Sequence, residues 1–243
     1  MNQQGPGDAG PQSADGFGIE VLPRRQALAD EVHEAIKALL MDHRIAPGDR
    51  VSIDGMAREL GVSPTPVREA LARLESAELV VKAPLRGYRA APLLTEQQLE
   101  DLYRFRLLIE PWAAARAAEG ISAAGAIRLR AEMDSCDAPT ESGYRSYKEL
   151  TAHDTRFHLL TAELAGSEQV RLALERTHCH LHIFRLYFDR AVGSKTLEEH
   201  RAITEAIASA DASAAEQAMR HHLEAAFQQR LRPLYHAPSS TER

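Results

Sequence analysis

The chain has 243 residues, 44% of them hydrophobic and 26% charged, with a formal net charge of −6. That length allows two compact domains, and the composition is that of an ordinary globular protein rather than a fibrous or disulfide-stapled one. With no run of about 18 apolar residues and no basic, apolar leader, neither a membrane span nor a secretory signal is expected. Its two isolated cysteines, Cys136 and Cys179, fit reduced thiols in a cytoplasm.

Residues 1–23 are rich in Gly, Gln, Ser, Asp and Pro and carry no Lys or Arg, so a disordered tail is expected there. Over residues 26–43, Leu28, Val32, Ala35, Ile36, Leu39 and Leu40 recur at helical spacing. A turn at Ala46-Pro47-Gly48-Asp49 leads to a short strand around Val51 and a helix over 53–60. Gly61 then opens a tight turn into a second helix that ends near Ser76-Ala77. On that helix Val67, Ala70, Leu71 and Leu74 share an inward face and Arg68 and Arg73 are left outside. Ser63 or Thr65 can cap its first turn, and Pro64 or Pro66 can stand where no helical amide is lost. Two helices joined this way form a helix-turn-helix whose second helix would enter a DNA major groove. Leu79–Lys82 and Arg86–Ala90 read as two short strands around a turn, a wing, with Lys82, Arg86 and Arg89 and no acid between 80 and 90. Gly87 would let the backbone approach a phosphate closely.

Charge alone does not point to DNA. Residues 24–90 carry a net +1 and residues 91–243 a net −4. Affinity for DNA must then come from local placement and from doubling by dimerisation, with strong salt dependence and few phosphate contacts per protomer.

The ordered segments Pro47–Val51, Met56–Ser63, Pro66–Leu71 and Arg86-Gly87-Tyr88 resemble the winged helix-turn-helix of GntR-family bacterial transcription regulators. The resemblance implies that Ser63, Thr65, Arg68, Arg86 and Gly87 touch double-stranded operator DNA. Arg68 is the first choice, because a guanidinium can grip a guanine edge or a phosphate. Many members have Arg where this chain has Pro64, so one contact of the family is missing and the operator cannot be inferred by analogy.

Beyond a hinge at 92–95, where Thr95 and Gln98 form a capping box, the chain reads as almost wholly helical. Helices are expected over about 96–119, kinked at Pro111, then 122–135, 144–165, 168–190, 195–209 and 214–231. The fold class is therefore mainly α: an N-terminal winged helix-turn-helix with a small β wing, residues 24–91, followed by an all-α antiparallel helical bundle, residues 96–233. A second disordered tail is expected at 234–243.

Eight of the eleven histidines lie between 153 and 222. Asp154 and His158, four apart, reach one spot on an inward helix face with Leu150, Phe157 and Thr161. His200 shares a face with Leu197, Ile203, Thr204 and Ile207, and His222 with Met219, Leu223 and Ala226, both inward, whereas His221 falls on a solvated face. One carboxylate and three imidazoles from three helices suit Zn²⁺, with Ni²⁺, Mn²⁺ or Fe²⁺ as alternatives. The other reading is a set of hydrogen-bonded core histidines.

Phe105-Arg106 with Glu110, Asp154–His158, Glu199–Ile203 and Met219–Leu223 resemble the FCD effector domain of the FadR-like GntR subfamily. That resemblance implies a divalent transition metal on Asp154, His158, His200 and His222. It also implies a small organic acid effector near the metal, a homodimer, and a repressor that ligand releases. Arg106 is a candidate to pair the effector's carboxylate; its alternative is a structural ion pair with Glu110. Arg185 and Tyr187 are further lining candidates, and His178, His180 and His182 have no place in the pattern. Two competing readings remain: the metal itself as the signal, or a metal-dependent enzyme whose only nearby acids for proton transfer would be Glu163 and Glu199.

Overall fold

The computed structural model describes residues 23–83, 87–137, 144–186 and 193–236. The expected N-terminal tail, Arg86 of the wing and Tyr187 lie outside the described residues, apart from the tail's last residue. No helix among the described residues is long and apolar enough to cross a membrane.

The N-terminal half is built around a small core. Helix α1, Pro23–Met41, buries Ala29, Val32, Ile36, Leu40 and Met41, whereas Leu28, expected on that face, is 40% exposed. The inward stripe begins one residue later than the spacing suggested. Strand β1, Arg50–Val51, is followed by α2, Ile53–Leu60. Ser52 Oγ accepts the Gly55 amide at 3.1 Å to start α2. Gly61 ends it at φ 67°, ψ 31°, a left-handed cap that glycine adopts without steric cost. Helix α3, Pro64–Ser76, comes next, with Ser63 at its N-cap and Pro64 in the first turn, and its buried residues are Pro66, Val67, Ala70, Leu71 and Leu74. It lies along α1, and Arg73 reaches Asp30 of α1 at 2.6 Å. Strands β2, Val80–Ala83, and β3, Gly87–Ala90, complete a three-stranded antiparallel sheet in the order β1-β3-β2. Arg89 stands opposite both Arg50 and Val81.

Thr95 caps helix α4, Glu96–Glu119, in the expected capping box with Gln98. The helix is continuous through Pro111, whose ring leaves the Leu107 carbonyl without its helical donor. Then come α5, Ala123–Met133; α6, Tyr144–Leu164; α7, Glu168–Arg176; α8, Cys179–Phe184; α9, Gly193–Ala208; and α10, Ala212–Ala225. A π-helical turn, Ala226–Leu231, and a last helical turn, α11, Pro233–His236, end the described chain. Helix α10 lies along α4 and α9, and Tyr103 of α4 stacks on Phe227 at 4.2 Å between ring centroids.

Two expectations are corrected. The single helix expected over 168–190 is two helices. The Thr177 hydroxyl donates to the Leu174 carbonyl at 2.6 Å and accepts the Cys179 amide at 3.3 Å, and His178 takes a left-handed φ of 44°. These side-chain bonds compete with the helical ladder and re-phase the chain from Cys179 onward. The C-terminal tail expected from 234 begins instead as α11, where the Tyr235 hydroxyl donates to the Leu94 carbonyl at 2.6 Å.

At Gly61 a Cβ would meet nothing within 4 Å, so any penalty there is conformational. Gly61→Val is expected to lower unfolding free energy by about 1–2 kcal/mol, and Gly61→Asn by less than half of that. Urea denaturation of the two variants beside the wild type checks both the loss and its order.

Candidate functional site

Ser63, Thr65, Arg68 and Gly87 are all exposed, on the first turn of α3 and on β3. The Ser63 side chain makes no capping bond although the residue holds the N-cap position, so its hydroxyl is available to an outside partner. Arg73, the other basic residue of α3, is tied to Asp30, whereas among the described residues Arg68 has no ion-pair partner.

The second site lies inside the bundle. Asp154 and His158 of α6, His200 of α9 and His222 of α10 are all buried, and one ligand atom from each lies within 4.8 Å of the others. The three imidazole rings have mutual centroid distances of 4.8–5.2 Å. Their tautomers follow from their outer partners, because a carboxylate can only accept. His158 Nδ1 donates to Glu110 of α4, and His222 Nδ1 donates to Glu199 Oε2 of α9 at 2.8 Å. His153 Nδ1 faces Glu132 Oε1 of α5 at 2.9 Å and must donate to it, which leaves His153 Nε2 as an acceptor. His200 Nδ1, 3.0 Å away, therefore donates to His153. His200 thereby keeps its Nε2 lone pair free on the side of Asp154, and the inner edges of the His158 and His222 rings converge on the same carboxylate.

His200 Nε2 is buried with no hydrogen-bond partner, 3.4 Å from Asp154 Oδ1. His158 Nε2 stands 3.8 Å from the same oxygen. Burial and the neighbouring imidazoles hold His200 well below the usual histidine range, so the ring is neutral near pH 7. Burial would raise Asp154, but His180, His158 and Arg106 hold its carboxyl low. Three imidazoles and one carboxylate, with the outer nitrogens of His158 and His222 fixed by carboxylates and that of His200 by His153, have the donor chemistry of a divalent transition-metal site.

Arg106 makes the ion pair with Glu110. It is buried, its Nε donates to Glu110, and its Nη2 reaches His158 Nε2 and His180 Nε2, each at 3.3 Å. The pair with Glu110 is thus present, and the same guanidinium also borders the histidine cluster. His180 was not expected in this site. The break at Thr177-His178 turns it inward, where it stacks on His158 at 4.8 Å and lies 3.8 Å from Asp154 Oδ2. Burial drives its pKa down to about 3, so it too is neutral. The Glu132–His153 relay was likewise missed, and only the abundance of histidine in this region could have hinted at it.

Arg185, a lining candidate, is fully buried elsewhere: its Nη2 donates to the Ala91 carbonyl at 2.7 Å. Neither acid considered for proton transfer is free. Glu199 is held by His222 and by Arg230 at 2.7 and 2.8 Å, and its pKa falls to about 2 against the opposing effect of burial. Glu163 is half-exposed and paired with Arg128 at 2.8 Å. A chamber of only about 30 Å³ adjoins Arg106, Asp154 and His222, closed on one side by Ala226, Arg230 and Leu231 of the π-helical turn.

Comparison with known proteins places these sites in a family. Residues 22–89 match the family described as bacterial regulatory proteins, gntR family, and residues 101–225 match the FCD domain. The putative L-lactate dehydrogenase operon regulatory protein of Escherichia coli is 30% identical, over 84% of this chain and 85% of that protein. The HTH-type transcriptional regulator LutR of Bacillus subtilis is 28% identical, over 76% and 93%. Among solved structures, E. coli McbR/YncC superposes with a TM-score of 0.60 at 21% identity, over 86% of this chain and 97% of that one. A putative GntR regulator from Rhodococcus sp. RHA1 gives 0.59 at 22%, over 87% and 99%. Those two show the fold. The matched relatives are named as regulators, not enzymes, and the chain belongs to the GntR family of bacterial transcription regulators, with an FCD domain as its helical half.

Proposed function

We propose that this regulator binds a palindromic operator as a homodimer and represses until a small organic acid binds a metal-bearing chamber in the helical domain. The observation that carries the metal assignment is the convergence of three imidazole rings on Asp154, each ring's Nδ1 being fixed by Glu110, Glu199 or, through His153, Glu132. A divalent ion bound there would supply Lewis acidity toward a carboxylate. Arg106, at the edge of the same cluster, would add two hydrogen bonds to the acid. Its present hold on Glu110 and His180 would have to be partly exchanged for the ligand. Zn²⁺ suits the donor set best, and Ni²⁺, Mn²⁺ and Fe²⁺ share it.

On the DNA side, Ser63, Thr65 and Arg68 would meet the major groove and Gly87, with Arg86, the adjoining backbone. The exposure of the first four supports this. A dimer would set two copies of α3 on two half-sites.

A second reading is favoured by the size of the chamber. About 30 Å³ has room for a water rather than an organic acid. The metal itself would then be the signal.

Metal content by mass spectrometry is the first test. About one divalent ion per chain is expected for wild type and none for His200→Ala. His153→Phe, which cuts the relay but leaves all four ligands, is expected to weaken metal binding about 10- to 100-fold in a chelator competition. Wild type that stays metal-free after reloading would sink the assignment. For the DNA face, Arg68→Ala is expected to cost about 1–3 kcal/mol in operator binding, with stability unchanged. The two readings of the signal separate in a DNA titration without organic acid: affinity that differs between metal-loaded and chelated protein favours the metal, and affinity that moves only when an acid is added favours the effector.

A further inference from the structure

A cavity of about 470 Å³ lies between α1 and the face formed by α6, α7 and α8, away from the chamber at Asp154. We propose that it is a second small-molecule site that takes an amphipathic monocarboxylate. Its volume falls within the range of ordinary ligand pockets. The body of the pocket is apolar, with Ala152, Leu159, Leu174 and Leu181 along its walls. Three cations line it: Lys37 of α1 and Lys148 of α6, which share one acid, and Arg156, which is held by Glu132 at 2.9 Å. Those two ammonium groups lean on one carboxylate, Glu34, Lys148 at 2.7 Å and Lys37 at 3.9 Å. A ligand with an apolar body and one carboxylate would match both features.

The site is distinct from the four candidate ligands and meets their surroundings through His180 and through Arg156, which holds the Glu132 of the His153 relay. Cys179 and His180 line the cavity, and on its other side His180 meets Arg106 and stacks on His158. Its walls also come from both halves of the chain: Glu34 and Lys37 belong to the DNA-binding half, and α1 carries the Asp30 that holds Arg73 of α3. An occupant would therefore bridge the helical domain and the helix that supports α3.

The test uses the full-length protein and 4-phenylbutyrate as the probe, by isothermal titration calorimetry, with 4-phenylbutylamine as the charge-reversed control. The acid is expected to bind with a Kd on the order of 0.1–1 mM and the amine not to bind. Ala152→Phe, which fills the cavity, is expected to weaken binding at least about 10-fold, and Lys148→Met, at an exposed position, about 5-fold. Circular dichroism checks that both variants fold, and the second serves if the first does not. Binding of the acid should stay within about two-fold after chelation and in His200→Ala. No binding to wild type overturns the proposal, as does equal binding of the amine or indifference to Lys148→Met. Loss of binding on metal removal also overturns it, because the acid would then sit in the metal chamber. Metal content of the same samples is a separate measurement, so failure of the cavity and failure of the metal assignment are distinguishable.

Discussion

The helical domain is organised around a buried cluster of one carboxylate and three imidazoles in which His200 Nε2 has no hydrogen-bond partner. Asp154 and the inner edges of the His158, His200 and His222 rings face one another in an interior where an unpaired acceptor costs several times what it costs at the surface. Beside them stand the buried carboxylates Glu110 and Glu199, with Arg106 buried against Glu110 and Arg230, at the edge, on Glu199. Neither outer carboxylate can serve His200 Nε2, because each is already committed to an imidazole Nδ1–H and a carboxylate only accepts. In the proposed metal site, a divalent cation at the focus would give His200 Nε2 the electrophile it lacks. A core-histidine arrangement would instead show each ring nitrogen paired, and His200 Nε2 is not.

The same centre is wired to the hinge along two routes. His180 borders the cluster, and five residues later Arg185 donates to the carbonyls of Ala91 and Pro92, where the chain leaves the sheet. On the other side, Arg230 grips the Glu199 that orients His222, and the next turn holds the hinge through Tyr235 to Leu94 and Arg232 to Glu96 at 3.3 Å. The π-helical geometry between them, a rare and strained form that concentrates at functional positions, places Arg230 over the chamber. Ligand control of DNA binding requires different ligand affinity in two arrangements of the domains. These contacts are the elements that an altered centre would move first.

What could be read from the sequence was whatever repeats along one helix. Asp154 and His158 share a face at i, i+4, and His200 and His222 sit among apolar neighbours at helical spacing; their inward direction needs no tertiary knowledge. The family resemblance then joined three helices that spacing alone leaves unconnected. His180 was invisible because its direction depends on a break made by the Thr177 hydroxyl and the left-handed His178, and a continuous helix over 168–190 points it elsewhere. His153 escaped for another reason. It sits about 100° around α6 from Asp154, so it belongs to the second layer facing α5 and α9, and its partners Glu132 and His200 are 21 and 47 residues away. Arg106 posed a choice between ion pair and binding group; the structure shows the ion pair with Glu110, and the same guanidinium borders the histidines.

The weak charge of the DNA-binding half has a consequence for control. Residues 24–90 carry a net +1, and of their arginines Arg73 is spent on Asp30 while Arg89 reaches the Gly48 carbonyl at 2.8 Å. Each protomer's electrostatic hold on a half-site therefore rests on a few scattered cations, among them Arg44, Arg50, Arg58, Arg68 and Lys82, in a half whose net charge is only +1. In the proposed dimer, affinity must come from engaging two half-sites at once, a gain that depends steeply on whether the spacing of the two α3 helices fits the DNA. A protein with strong single-site affinity would tolerate a change in that spacing; one with weak single-site affinity would be released by it. The modest charge is thus the condition under which a small rearrangement at the hinge can decide occupancy.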